Sequence, residues 1–339
     1  MTAQRVLADA SLTLERVRAR VNVNAVQAGA RKPFRFFLCG DPGLIAEFRI
    51  LMLSGQTGAT IPFDAAATLE TLPQHGDPPV ETTDARIVVF FGRAGDRAGA
   101  DLAPLRALGL PIMALCVDPE RPPQGPTKLP AAGMIGDYTV GAIAFEDLRG
   151  RVLPHIVDAC KGIEIAVGRR LPALRTTVAA KLTRDAALNA VKVAGASAAV
   201  EGVPILGVII GALTSAGDMI AITAIQITLM MQIAATFGKD PELRSLWELL
   251  PVVGGGFGWR ALARELAGFL PVGGIAIKSA IAYAGTILVG EGATFYELHG
   301  RHLSPADGAR IYDSAKLAAL QLGRELVNRL LRTDGRSDG

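Results

Sequence analysis

Residues 37–55 read FLCGDPGLIAEFRILMLSG, in which a short apolar run meets a turn holding Gly40 and Gly43 and a helical pattern follows. That order begins a phosphate-binding loop. In such a loop G-x-x-x-x-G-K-[ST] joins a strand to a helix, backbone amides wrap the phosphates, the lysine neutralises charge and the hydroxyl holds magnesium. With Gly40 as the first glycine, the second falls on Ile45, the lysine on Ala46 and the hydroxyl on Glu47. Ile45 crowds the amides, Ala46 carries no charge, and Glu47 puts a carboxylate where phosphate belongs. Starting from Gly43 instead puts Phe48 and Arg49 in those places.

The other nucleotide-reading elements are missing as well. The run DARIVVFF resembles the strand before a GTPase's metal-binding turn, but no well-placed D-x-x-G follows it. The run PIMALCVD ends where N-K-x-D would read guanine, and only Asp118 fits, because Leu115 and Cys116 replace the Asn and Lys. The expectation is an α/β domain that keeps the shape of a nucleotide fold without hydrolysis, catalytic residue or cofactor. Binding of GTP through the Gly40 and Gly43 amides, with Asp118, stays open as an alternative.

Other candidates are weaker. His299 and His302 lie near Glu297 in ELHGRHLSPAD, but Gly300 and Pro305 make this a predicted loop, and no metal site is expected. Cys39, Cys116 and Cys160 are far apart and form no C-x-x-C pair, which excludes a disulfide framework and fits a reducing compartment. No G-x-S-x-G and no nucleophile–base pair is present.

The elements that would position these residues change character along the chain. Half of the 339 residues are hydrophobic, only 5% are aromatic, and the net charge of +3 is too small to argue for nucleic acid. Residues 4–28 have the spacing of an amphipathic helix and no signal-peptide apolar region. Strands are expected at Phe34–Leu38, Arg86–Phe91, Pro111–Val117 and Tyr138–Ile143. Helices are expected at Leu44–Leu53, Ala98–Leu108 and Phe145–Ala159, with a Pro-rich loop at Asp118–Pro130. From about residue 172 the pattern is helical throughout, ending in a helix at about Pro305–Arg332 capped by Ser304.

Two runs are nearly free of charge. Val203–Gly238 contains only Asp218, and Leu266–Gly290 only Lys278. Asp218 interrupts the first run after 15 residues, and the 19 residues Met219–Phe237 that follow are near the length that spans a bilayer; Gly-Asp before an apolar helix predicts Asp218 as an N-cap. Gly207 and Gly211 form G-x-x-x-G, and Gly254, Gly255, Gly256 and Gly258 form a cluster. Small residues so spaced let helices approach closely, in lipid or in protein, and mark a candidate membrane or oligomer interface.

The helical half resembles a known family. The segments QITLMMQIA, GFGWRALAREL and YAGT, within residues 172–298, resemble the YcjF-like family of uncharacterised bacterial domains, and RRLPALR at 169–175 resembles its link to a preceding GTPase domain. The resemblance implies membrane association and a GTPase-like sheet, and transfers no catalytic residue.

The expected architecture is therefore an α/β plus all-α chain: a degenerate P-loop GTPase-like, Rossmann-like parallel sheet followed by a Gly/Ala-rich apolar helical domain. Its parts are an N-terminal helix (1–33), the α/β domain (34–160), the YcjF-like domain (161–300), and a C-terminal helix with a polar tail (301–339). The expected function is a non-enzymatic scaffold or regulator at the cytoplasmic face of the bacterial membrane, with a cytoplasmic location as the alternative. Its expected partners are membrane lipid or a membrane protein, an active GTPase, and a second copy of the chain, but no nucleic acid. An oligomeric pore or channel component is the remaining alternative.

Overall fold

A computed structural model describes residues 15–54, 62–72, 81–94, 102–121, 124–127, 133–194, 215–241 and 274–334. The chain forms two compact units. One comprises Gln27–Ala179 with Ala235–Asp240, and the other takes in residues 1–26, 180–234 and 241–339. The α/β unit thus continues past residue 160 and recovers a short segment from much later in the chain.

Its centre is a six-stranded sheet of β1 (Arg35–Gly40), β2 (Leu69–Thr71), β3 (Ala85–Arg93), β4 (Ile112–Val117), β5 (Gln124–Thr127) and β6 (Met134–Val140), in the order β2-β1-β3-β4-β6-β5. Five strands are parallel, and β5 pairs antiparallel with β6 at one edge. The continuous apolar runs of β1, β3 and β4 suit strands buried on both faces. On one face Phe37, Val88 and Ile112 cluster with Leu72 and Ala85. On the other, Phe48 of the helix α2 (Pro42–Ser54) packs on Phe91 with ring centroids 5.0 Å apart.

Local differences from expectation have local causes. The predicted N-terminal helix is interrupted at Val21–Asn22. The Asn22 carboxamide accepts the Ala25 amide at 2.9 Å and starts a separate helix, α1 (Val23–Arg31). Residues 103–106 form α3. The predicted helix over Phe145–Ala159 is two helices, α4 (Phe145–Arg149) and α5 (Leu153–Ala159), since Gly150 ends the first and Pro154 opens the second. β5 lies inside the segment expected to be loop; Pro126 is tolerated there because the strand is at the edge.

Beyond the sheet, α6 (Glu164–Arg170) and a short turn of helix at Pro172–Leu174 lead into α7 (Arg175–Val193). The arginines of RRLPALR hold this unit together. Arg169 donates to the carbonyl oxygens of Ala235 and Lys239 and pairs with Asp240. Arg170 pairs with Asp64 at 2.9 Å and donates to Ala30 and Lys32. Arg175 is 1% exposed and donates to the Gly168 and Arg169 carbonyls at the end of α6, beside the Phe237 ring. A helix C-terminus carries partial negative charge and unpaired carbonyls, so it is a natural seat for a buried guanidinium. Burial and the nearby Arg169 charge lower the Arg175 pKa.

The helical unit contains most of α7 and α8 (Ser215–Thr236), together with α9 (Gly274–His299) and α10 (Pro305–Asp334). Ala280, Ala284 and Ile287 of α9 pack against Ala315 and Ala319 of α10 and Ala187 of α7. The small side chains bring the helices close: a β-carbon on Gly290 would overlap the Thr183 side chain. Ser304 caps α10 as expected. Its hydroxyl accepts the Asp307 amide, and the Asp307 carboxylate accepts the Ser304 amide in return. Asp218 lies inside α8, three residues after its first described residue, rather than at the cap. Gly207, Gly211, Gly254, Gly255, Gly256 and Gly258 fall outside the described residues. Among the described residues no helix is long and apolar enough to cross a membrane.

Candidate functional site

In an open parallel sheet, ligands bind beyond the strand C-termini where the strand order reverses. Here that place lies between β1 and β3, because the chain leaves β1 toward β2 on one side and returns to β3 on the other. Gly40 ends β1 opposite Phe91 of β3, and Gly43 stands in the first turn of α2.

The turn between strand and helix is a single residue, Asp41. Gly40 adopts φ +106°, and a β-carbon there would overlap the Phe91 carbonyl oxygen. That same oxygen accepts the Asp41 amide at 2.9 Å. The Asp41 carboxylate then turns inward: Oδ1 accepts the Leu44 amide at 2.9 Å and Oδ2 accepts from Arg93 Nε at 2.9 Å. The Arg93 hydrogen bond, followed by the Leu44 amide, lowers the Asp41 pKa. A phosphate-binding loop offers free amides in a wide turn. This turn is closed, and a carboxylate of the chain itself lies on the helix N-terminus, where its charge meets the positive end of the dipole.

The substituted loop positions have other duties. Ile45 is buried in the core beneath α2, and Ala46 and Glu47 face solvent.

Asp118 follows β4, two strands from β1 and so about 10 Å along the sheet from Gly40. It is engaged locally: Oδ1 accepts the Glu120 amide at 3.2 Å, Oδ2 pairs with Arg121 at 3.4 Å, and its own amide donates to Val140. After β6, Asp147 does the same for the Ala142 amide at 2.9 Å. The fold therefore brings Gly40, Gly43 and Asp118 to one edge, and each of the three turns there is filled by an aspartate from the same chain. The repeated use of Asp just after a strand, at 41 and 118, was readable in the sequence as turn chemistry; the Asp41–Arg93 pairing across 52 residues was not.

No family model, curated protein or solved structure matches this chain.

The remaining candidates resolve into packing. The helix α9 runs on through Glu297 to His299, and Gly300, with φ +63°, ends it. The predicted loop is thus helix up to that glycine. The His299 ring lies tilted against Phe295 with centroids 4.3 Å apart, and His302 against Tyr296 at 5.6 Å. Cys39, Cys116 and Cys160 are each buried and free, and burial pushes the Cys39 and Cys160 thiols up to about 12.

Proposed function

We propose that this chain is a non-enzymatic, membrane-associated scaffold or regulator, whose α/β unit is a GTPase-like sheet that has given up nucleotide. The supporting observation is the β1–α2 turn. In this one-residue connection the Asp41, Leu44 and Ile45 amides already donate within the chain and the Asp41 carboxylate, paired with Arg93, lies at the helix start, which argues against a phosphate chain there. Membrane association rests on the two nearly charge-free runs and on the resemblance of residues 172–298.

Isothermal titration with GTP, GDP and ATP tests the first half of this reading. No heat is expected up to high micromolar nucleotide, and a saturable signal would restore the nucleotide-binding alternative. Membrane fractionation with salt, alkaline carbonate and mild-detergent washes tests the second. Release by detergent alone is expected, and a wholly soluble protein would overturn the membrane assignment.

A further inference from the structure

The described helical residues 15–20 bury one narrow side and expose the rest. Val17 is buried at 4% exposure, and Val21, four residues on, is also buried. Arg16, Arg18 and Arg20 are all exposed. Among the described residues none of the three has a carboxylate partner, whereas eight other arginines each pair with one. Arg16 and Arg20 stand four residues apart, a spacing at which like charges disfavour a helix. The stretch therefore presents three exposed arginines within five residues, none with a carboxylate partner among the described residues.

We propose that Arg16, Arg18 and Arg20 are the electrostatic contact of this protein with an anionic phospholipid surface. The inference rests on the membrane reading above and names the lipid chemistry it uses. Nucleic acid is disfavoured because the net charge is only +3 and no aromatic residue lies between these arginines to stack on a base. The valines are already committed to the protein core, so the stretch lies against headgroups and does not insert. Such a contact is screened by salt and is worth about a five-fold gain in partitioning per arginine.

The test is vesicle co-sedimentation of the full chain, with phosphatidylcholine alone and with phosphatidylglycerol added. The wild type should sediment more strongly with the anionic vesicles and lose that gain in high salt. The R16Q/R18Q/R20Q variant should lose it by a factor of order 100 at low salt, while R16K/R18K/R20K keeps it. All three positions are exposed, and an unchanged thermal melt verifies the fold. Equal binding to both vesicles would overturn this inference and leave membrane association through apolar contact. No binding to either would overturn both. An unchanged gain in the glutamine variant would move the contact elsewhere, and tighter arginine-dependent binding to duplex DNA would reassign the surface to nucleic acid.

Discussion

Gly40 and Gly43 look equivalent as sequence and differ in structure. Gly40 sits at φ +106° against the Phe91 carbonyl, so any side chain there is strained and clashes. Gly43 lies in the first turn of α2, and a β-carbon there meets the Asp41 carboxylate at 3.1 Å, tight but without backbone overlap. Gly40→Ala should therefore lower stability by about 1–3 kcal/mol, and Gly43→Ala by much less. Urea unfolding of the two variants checks this, and equal effects would contradict the turn geometry. Asp41 adds a pH signature. Its folded pKa is lowered, so its contribution is present above the unfolded value of about 3.9 and is lost as pH falls through the lower folded value. Asp41→Asn keeps a good cap but loses the charge pair. It should be less stable than wild type by up to about 1 kcal/mol at neutral pH, and the gap should close in acid. Thermal melts across the acid range measure it, and a constant gap would mean that the ion pair contributes nothing.

At the scale of elements, the α7–α9 crossing is set by one glycine. Thr183 fills the space above Gly290, and its hydroxyl is buried without a hydrogen-bond partner among the described residues. Gly290→Ala should cost about 1–3 kcal/mol by overpacking. Thr183→Ala should relieve part of that cost, so the double variant should be more stable than the sum of the single effects. Additive losses would mean the two residues do not share the crossing. The strands and most helices around such contacts were legible in the sequence, because apolar runs and helical spacing reflect burial directly. The missed elements depend on distant partners: β2 is three residues long and exists by pairing with β1, and β5 exists by pairing with β6 despite its proline. The same holds at the candidate site. That a lysine and a hydroxyl are missing where a phosphate-binding loop would need them is visible from Ala46 and Glu47 alone. Closure of the turn by Arg93 needed the register of β1 against β3.

Composition marks a change from an ordinary soluble pattern to an apolar helical one, which places a boundary near residue 160. The α/β unit instead ends at Ala179 and takes back Ala235–Asp240. The reason lies in RRLPALR. Arg169 finds its acceptors at Ala235, Lys239 and Asp240, Arg175 stands beside the Phe237 ring, and Thr236 fills the space over Gly168. Side chains so placed make residues 235–240 part of the sheet unit, even though some 55 residues of chain separate them from Ala179. A chain ending at residue 194 keeps every strand and loses this segment. Phe237 is 6% exposed, and emptying such a site costs about 3–5 kcal/mol. The shortened chain should therefore unfold at clearly lower urea than the same unit in the full protein, and Phe237→Ala in the full chain should approach that loss. Asp240→Ala should cost less than about 1 kcal/mol, because its side chain is 75% exposed and surface pairs contribute little. Tyr138 provides the readout: it is buried in β6, and the other tyrosines, at 283, 296 and 312, and both tryptophans, at 247 and 259, belong to the helical unit. Its absorbance in a urea titration follows the sheet unit alone in the shortened chain, which lacks the other five, and in a full chain with those five replaced by Phe, which supplies the reference midpoint. An unshifted midpoint in that titration would return the boundary to the end of the first 160 residues.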